Sequence, residues 1–238
     1  MTQLNTRKKM PESRFKHCYK VAEVMEYIAK NYYNYNNEQS AEMFMLGYIH
    51  DSMYDYESNE TLHNEIVAEL VPQKYKESVK NHSTYQTEYQ SDALDMLYFA
   101  DQIVDGNGNI CSFDERIADI LARHGTDDCV YQDTIDIVNY LNSNELFKKM
   151  EQDVCSNESL KNNEIPISKM AETWYKTIQI NCKDKPELYL STLLSEGNAI
   201  LFTNEQKKVS NQIQRQIKLQ NDFAFLDNEQ YDFDTQLE

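Results

Sequence analysis

An all-α fold is predicted for this chain by two observations. Apolar residues recur at helical spacing in segment after segment, and only five Gly and four Pro occur in 238 residues. An all-β sandwich needs turn residues at short intervals, and Leu, Ile, Met, Glu and Lys are frequent instead. The length fits one large domain, or one domain with an appendage. At 40% hydrophobic residues a single core can form, and at this size roughly 70% of the unfolded chain's surface can be withdrawn from water.

The elements follow in order. Residues 13–30 carry Cys18, Val21, Ala22, Met25, Ile28 and Ala29 as one helical stripe behind Ser13, a suitable N-cap. An Asn-rich break at 31–37 precedes a helix over 39–50, which puts His50 and Asp51 at a helix end. Residues 61–71 stack Leu62, Ile66, Val67 and Leu70 before Pro72 stops them, and a short element spans 74–81. Helix is expected again over 91–104, then a turn at 105–109 (Asp-Gly-Asn-Gly-Asn), then helices over 113–123 and 131–141. Residues 143–164 mix a short apolar patch with Ser, Asn and Lys and read as a connector with at most a brief helix. Amphipathic helices are expected over 167–180, 186–200 and 205–225, ahead of an acidic tail. The expected organisation is a first domain over 1–142, a connector over 143–166, a helical C-terminal region over 167–226 and a tail over 227–238.

Charge and composition exclude some functions. Twenty-three Lys plus Arg against forty Asp plus Glu give a net charge of −17, which repels polyanions and argues against general nucleic-acid binding. No run of ~18 apolar residues is present and the N-terminal stretch is basic and polar, so neither a membrane span nor a secretory signal is expected. Five cysteines without C-x-x-C pairing suit neither a disulfide framework nor a cysteine zinc site, and fit a cytoplasmic setting.

Four of the five histidines lie in the first hundred residues on or beside apolar helix faces. His17 shares a face with Val21 and Val24, His63 with Ile66, Val67 and Leu70, and Asp101 with Leu94 and Leu97. One inward histidine is usually a hydrogen-bonded core residue. Several converging imidazoles and carboxylates cost several kcal/mol without partners, roughly, whereas a divalent cation offsets their charge and uses their lone pairs. His17, His50, Asp51, His63, His82 and Asp101 are therefore candidate metal ligands.

Those residues carry a resemblance. Arg14-Phe15-Lys16-His17, Met45-Leu46-Gly47-Tyr48-Ile49-His50-Asp51, Lys80-Asn81-His82-Ser83 and Tyr98-Phe99-Ala100-Asp101 together resemble the H…HD…D pattern of the HD-domain superfamily of metal-dependent phosphohydrolases. The resemblance covers roughly residues 8–141 and implies an HD-type helical bundle with the C-terminal helices as an appendage. It implies that His17, His50, Asp51 and Asp101 hold a first ion, and that His63 and His82 match the extra histidines of binuclear members, with Asp51 bridging. His50 and Asp51 would then be catalytic. Tyr54 stands where hydrolases of guanosine tetraphosphate carry Glu, which departs from that subfamily, and the presence of both His63 and His82 turns the resemblance toward binuclear relatives such as those cleaving dinucleoside polyphosphates. The implied function is hydrolysis of a small phosphate ester or anhydride, a nucleotide foremost, by metal-activated hydroxide. One or two divalent ions are implied, with Mn, Fe, Zn and Mg left open. The alternative is a non-catalytic HD scaffold that binds a nucleotide or a protein partner; a homodimer through the C-terminal helices stays open.

Arg14, Lys80 and Arg116 are candidates for substrate phosphate, weighed against ordinary surface ion pairing. Other signals fail. The 105–109 turn cannot be a calcium loop, because placing Gly108 at that loop's glycine puts Ile103 at its first ligand position. His124 before Gly125 reads as a helix C-terminal residue. The seventeen tyrosines lack the interleaved basic residues of a single-strand binding groove.

Overall fold

The computed structural model describes residues 12–53, 60–85, 87–163 and 185–234. Among them the architecture is all-α, and the only β feature is one isolated antiparallel bridge between Val104 and Ile110. The helices are α1 (Glu12–Asn31), α2 (Asn37–Ile49), α3 (Glu60–Leu70), α4 (Lys76–Lys80), α5 (Asp92–Gln102), α6 (Phe113–His124), α7 (Cys129–Asn142), α8 (Glu145–Ser156), α9 (Glu158–Lys161), α10 (Pro186–Ile200) and α11 (Asn204–Asp234). No helix among the described residues is long and apolar enough to cross a membrane. The helix expected over 167–180, together with Tyr54 and Asp55, lies outside the described residues.

Local chemistry sets the helix starts. Asn36 and Gln39 form a reciprocal capping box that opens α2, with Gln39 N donating to Asn36 Oδ1 at 2.9 Å and Asn36 N donating to Gln39 Oε1 at 3.0 Å. Ser112 and Glu115 do the same for α6, which ends at Gly125 with φ +82°. Ser91, Asp128 and Asn144 cap α5, α7 and α8 through side-chain oxygens.

The centre of the molecule is the crossing of α1 and α2, with α5 packed against both. The stripe Cys18, Val21, Ala22, Met25, Ile28 and Ala29 is fully buried there, as its spacing predicts. Gly47 permits the crossing to be close: a Cβ at that position would lie 2.8 Å from Ala22 Cα. On one side α7 and α8 close the core, with Phe99 edge-on to Phe113 at 5.7 Å and stacked near Phe147 at 6.4 Å. On the other side α11 packs on α2, α10 packs on α11 and α3, and Phe202 between them meets Phe44 and Tyr48 edge-on at 6.1 and 5.2 Å.

Two differences from the sequence reading, and one buried cation that it did not address, concern this frame. The segment expected to connect with at most a brief helix forms the twelve-residue α8, which buries Phe147, Met150 and Val154. Its spacing of three and four apolar positions is helical, and the polar residues between them cover the solvent face. The backbone of α11 runs on to Asp234, through most of the residues read as an acidic tail. Lys20 is buried in the stripe of α1, where Nζ donates to Leu160 O and pairs with Glu23, each at 2.7 Å, and so ties α9 to α1.

Candidate functional site

Five chain segments bring the six candidate ligands together. His17 projects from the first half of α1, His50 and Asp51 follow the last turn of α2, and Asp101 comes from α5. His63 lies on α3, and His82 lies two residues beyond α4. All but Asp101 are buried, and Asp101 is half-buried. His17, His50 and Asp51 offer ligand atoms that all lie within 4.8 Å of one another, a buried group that could hold a metal ion. Ligand atoms on one ion at ~2.0–2.2 Å sit at most about 4.4 Å apart, which is the scale of this group.

The remaining three residues ring that group. His17 Nε2 faces Asp101 Oδ1 at 2.9 Å, and His50 Nε2 lies 3.6 Å from Asp51 Oδ2 and 3.8 Å from Asp101 Oδ1. His63 Nε2 and His82 Nε2 approach the other oxygen of Asp51, Oδ1, at 3.3 and 3.7 Å. Asp51 thus presents one oxygen to His50 and the other to His63 and His82.

Backbone carbonyls orient three of the rings. His17 Nδ1 meets Asp105 O at 3.0 Å, His50 Nδ1 meets Gly47 O at 2.6 Å, and His82 Nδ1 meets Val79 O at 2.7 Å. A carbonyl oxygen only accepts, so each Nδ1 carries a hydrogen and each ring turns Nε2 toward the carboxylates; in the neutral, ligating form that Nε2 presents a lone pair. Lone pairs then face carboxylate oxygens across buried gaps of 2.9–3.8 Å. Such acceptor-to-acceptor contacts are repulsive until a proton or metal cation lies between them, and a carbonyl behind each ring is the arrangement that orients metal-bound histidines. The residues present therefore fit a divalent ion.

Electrostatics agrees with this geometry. Burial acts to raise the Asp51 carboxyl, but Arg14, His50, His63 and His82 outweigh it and hold the group well below the usual carboxylate range. For Asp101 burial is likewise outweighed, here by His17 and His50 and then by Arg116, and that carboxyl is also held well below the ordinary value. Burial lowers His17, opposed in part by Asp101, which favours its neutral, ligating form. At His82 burial is overcome by the Asp51 carboxylate, which raises the imidazole to about 9.

The cluster floors a cavity of about 270 Å³ whose walls include Arg14, Arg116, Arg123 and His124. In a chain of net charge −17, three guanidinium groups gather at this opening beside the Asp51 and Asp101 carboxylates, with Arg123 paired to Asp119 at 2.8 Å. Arg14 is in direct contact with Asp51. Arg116 is buried in α6 and its Nε and Nη1 have no hydrogen-bond partner among the described residues; Asp119 Oδ2 is 3.5 Å from Nη1. Lys80, expected to bind substrate, is not brought to the cavity: it is exposed, 3.8 Å from Glu65, on a separate shallow depression. Its position two residues before His82 puts it on the solvent face of the α4 turn.

Sequence reading missed Arg123 and His124 as wall residues. His124 was assigned to the helix terminus, where its Nδ1 does lie 3.3 Å from Asp128 Oδ2, and the same face of α6 also turns it toward the cavity. The helical offset of Arg116, Ile120, Arg123 and His124 was the available signal. The 105–109 turn is folded by its own carboxylate, Asp105 Oδ1 accepting from Asn107 N and Asn109 N at 2.8 Å each, and its role is to hold His17.

Comparison with protein-family models, with curated proteins and with solved structures returns no match.

Proposed function

We propose that the chain is an HD-type, metal-dependent phosphohydrolase acting on a small phosphate ester or anhydride, a nucleotide foremost. The observation that carries the reading is the convergence of four imidazoles and two carboxylates beside the buried Arg116, whose Nε and Nη1 make no hydrogen bond among the described residues. His17, His50, Asp51 and Asp101 would hold one divalent ion, and His63 and His82 a second, with Asp51 shared. Ions bound there supply Lewis acidity toward a phosphoryl oxygen and acidify water near neutral pH.

The protein's own contributions are positional. Asp105 O, Gly47 O and Val79 O orient three of the rings before anything binds, which reduces the reorganisation needed at the reacting centre. Arg116 offers a buried, charge-assisted donor pair that suits a phosphate oxygen. Arg14 neutralises Asp51 and forms part of the same wall. The buried floor limits water to the cavity side.

The test is phosphate release by purified protein loaded separately with Mn, Fe, Zn or Mg, against nucleoside mono- and polyphosphates, dinucleoside polyphosphates and sugar phosphates. Metal-dependent release that disappears together with bound metal in Asp51→Asn is expected. Tight metal binding with every substrate intact would replace this reading by a non-catalytic binding scaffold.

A further inference from the structure

A second cavity of about 260 Å³ adjoins the first and shares Asp101, Arg116, Ile120 and Val130 with it. Arg116 therefore stands at the junction of two lobes, one floored by the histidine and aspartate cluster and the other reaching toward α7. At about 30 Å³ per water the second lobe has room for roughly nine waters, the size of a sugar rather than of a single ion.

Its lining is chemically one-sided. Gln102 Oε1 is buried without a hydrogen-bond partner among the described residues, while its Nε2 lies 3.4 Å from Asp101 Oδ2. Thr134 Oγ1 already donates to Val130 O at 2.8 Å, which leaves its lone pairs to accept. Asp133 adds a carboxylate. Ser83 Oγ accepts from Asn64 Nδ2 at 2.9 Å, which leaves its hydrogen to donate. Acceptors outnumber donors, so the matching ligand is rich in O–H donors. Arg116 is the single cation among the described lining residues, against Asp101 and Asp133, so a second phosphate is repelled from this lobe. No aromatic ring among those residues lines it, so nothing there stacks a base.

We propose that this lobe is a subsite for the neutral, hydroxyl-bearing part of the substrate, a sugar, with the attached phosphate held at the junction by Arg116. This rests on the reading that the cluster handles a phosphorylated substrate. It goes further in assigning the leaving side to a polyhydroxyl group recognised by Gln102 and Asp133. The same chemistry is offered by a free sugar phosphate and by the ribose of a nucleotide.

Calorimetric titration of the full chain in Mn²⁺ with inorganic phosphate, ribose 5-phosphate and adenosine 5′-monophosphate tests it. Ribose 5-phosphate is expected to bind at least tenfold more tightly than phosphate. That ratio should fall at least threefold in Asp133→Ala, whose half-buried site tolerates truncation, and in Gln102→Leu. Equal affinity for phosphate and ribose 5-phosphate in the wild type, no binding of either, or a ratio unchanged in Asp133→Ala, overturns the assignment. Adenosine monophosphate binding more tightly than ribose 5-phosphate identifies a nucleotide as the source of the sugar, and equal or weaker binding identifies a free sugar phosphate; the subsite holds in both cases. Phosphate release is read in parallel: a preserved binding ratio without release removes the hydrolase reading and leaves the subsite standing.

Discussion

Gly108→Ala isolates how the fold orients His17. Gly108 has φ +77°, and a Cβ there would lie 2.6 Å from both Lys16 C and Lys16 O, atoms of the α1 backbone that cannot swing aside. The left-handed backbone costs an alanine about 1–2 kcal/mol, and forcing an extra carbon into a packed contact adds about 1–3 kcal/mol. A loss of roughly 2–5 kcal/mol follows, which for a chain of this size lowers Tm by roughly 5–15 °C. The turn relieves the clash by moving off α1. Gly108 N donates to Asp105 O at 3.0 Å, and the same oxygen receives His17 Nδ1, so His17 loses its orienting carbonyl. Loss of such a partner weakens metal binding about 10–100-fold. Differential scanning calorimetry and Mn²⁺ titration measure the two effects, with Gly106→Ala as control, since a Cβ at that position meets nothing within 4 Å. If both variants melt and bind Mn²⁺ alike, the turn does not hold His17.

Four further outcomes are expected. Arg116→Met should change urea stability little, because Nε is buried without a hydrogen-bond partner and Nη1 has only the 3.5 Å contact with Asp119, while weakening inorganic phosphate binding by about 10–100-fold. Lys20→Met alone should cost about 3–5 kcal/mol by stranding the largely buried Glu23, and Lys20→Met with Glu23→Gln should recover most of it; additive losses in a urea double-mutant cycle would count against a coupled pair. Divalent metal at a hundredfold excess over Kd should add about 2.7 kcal/mol and raise Tm by roughly 5–10 °C, reversed by chelator. The pH slopes should oppose each other. Without metal, His82, raised to about 9 by Asp51 from its ordinary 6.5, stabilises the fold fully below 6.5, and that contribution disappears as pH rises through about 9. The metal-derived gain grows over the same range, since ligating imidazoles must be neutral. Parallel melting curves from pH 6 to about 9 with and without metal would refute an ion among these histidines.

Much of the frame was legible because the apolar stripe of α1 and the stops at Pro72 and Gly125 are written in local spacing. The convergence of the candidate residues was legible for the same reason: His17 and His63 share helix faces with core residues, so burying the stripe buries them, and Asp101 follows Leu94 and Leu97 to the edge of the same core. What was not legible depends on three-dimensional partners. Nothing local distinguishes Lys80 from Arg116. The first falls on the outer face of a short helix and pairs with Glu65, while the second falls on the inner face of α6. The length of α8 was hidden by polar residues whose only role is to face water. Asp105, read and discarded as a calcium ligand, contributes through its backbone oxygen, which no side-chain pattern reveals.

That last point generalises within the site. Three of the four clustered histidines are turned by carbonyls of Gly47, Val79 and Asp105, and two of those carbonyls lie three residues before the ring they hold. A helix end or following turn supplies an unused carbonyl at just that offset, which is why His50 and His82 both stand immediately beyond helices rather than within them. His17, inside α1, has no such neighbour, because its own helix consumes the nearby carbonyls. It takes one from 88 residues away. The close approach of Gly108 to Lys16 is therefore the tertiary contact that makes a mid-helix histidine equivalent to the two at helix ends.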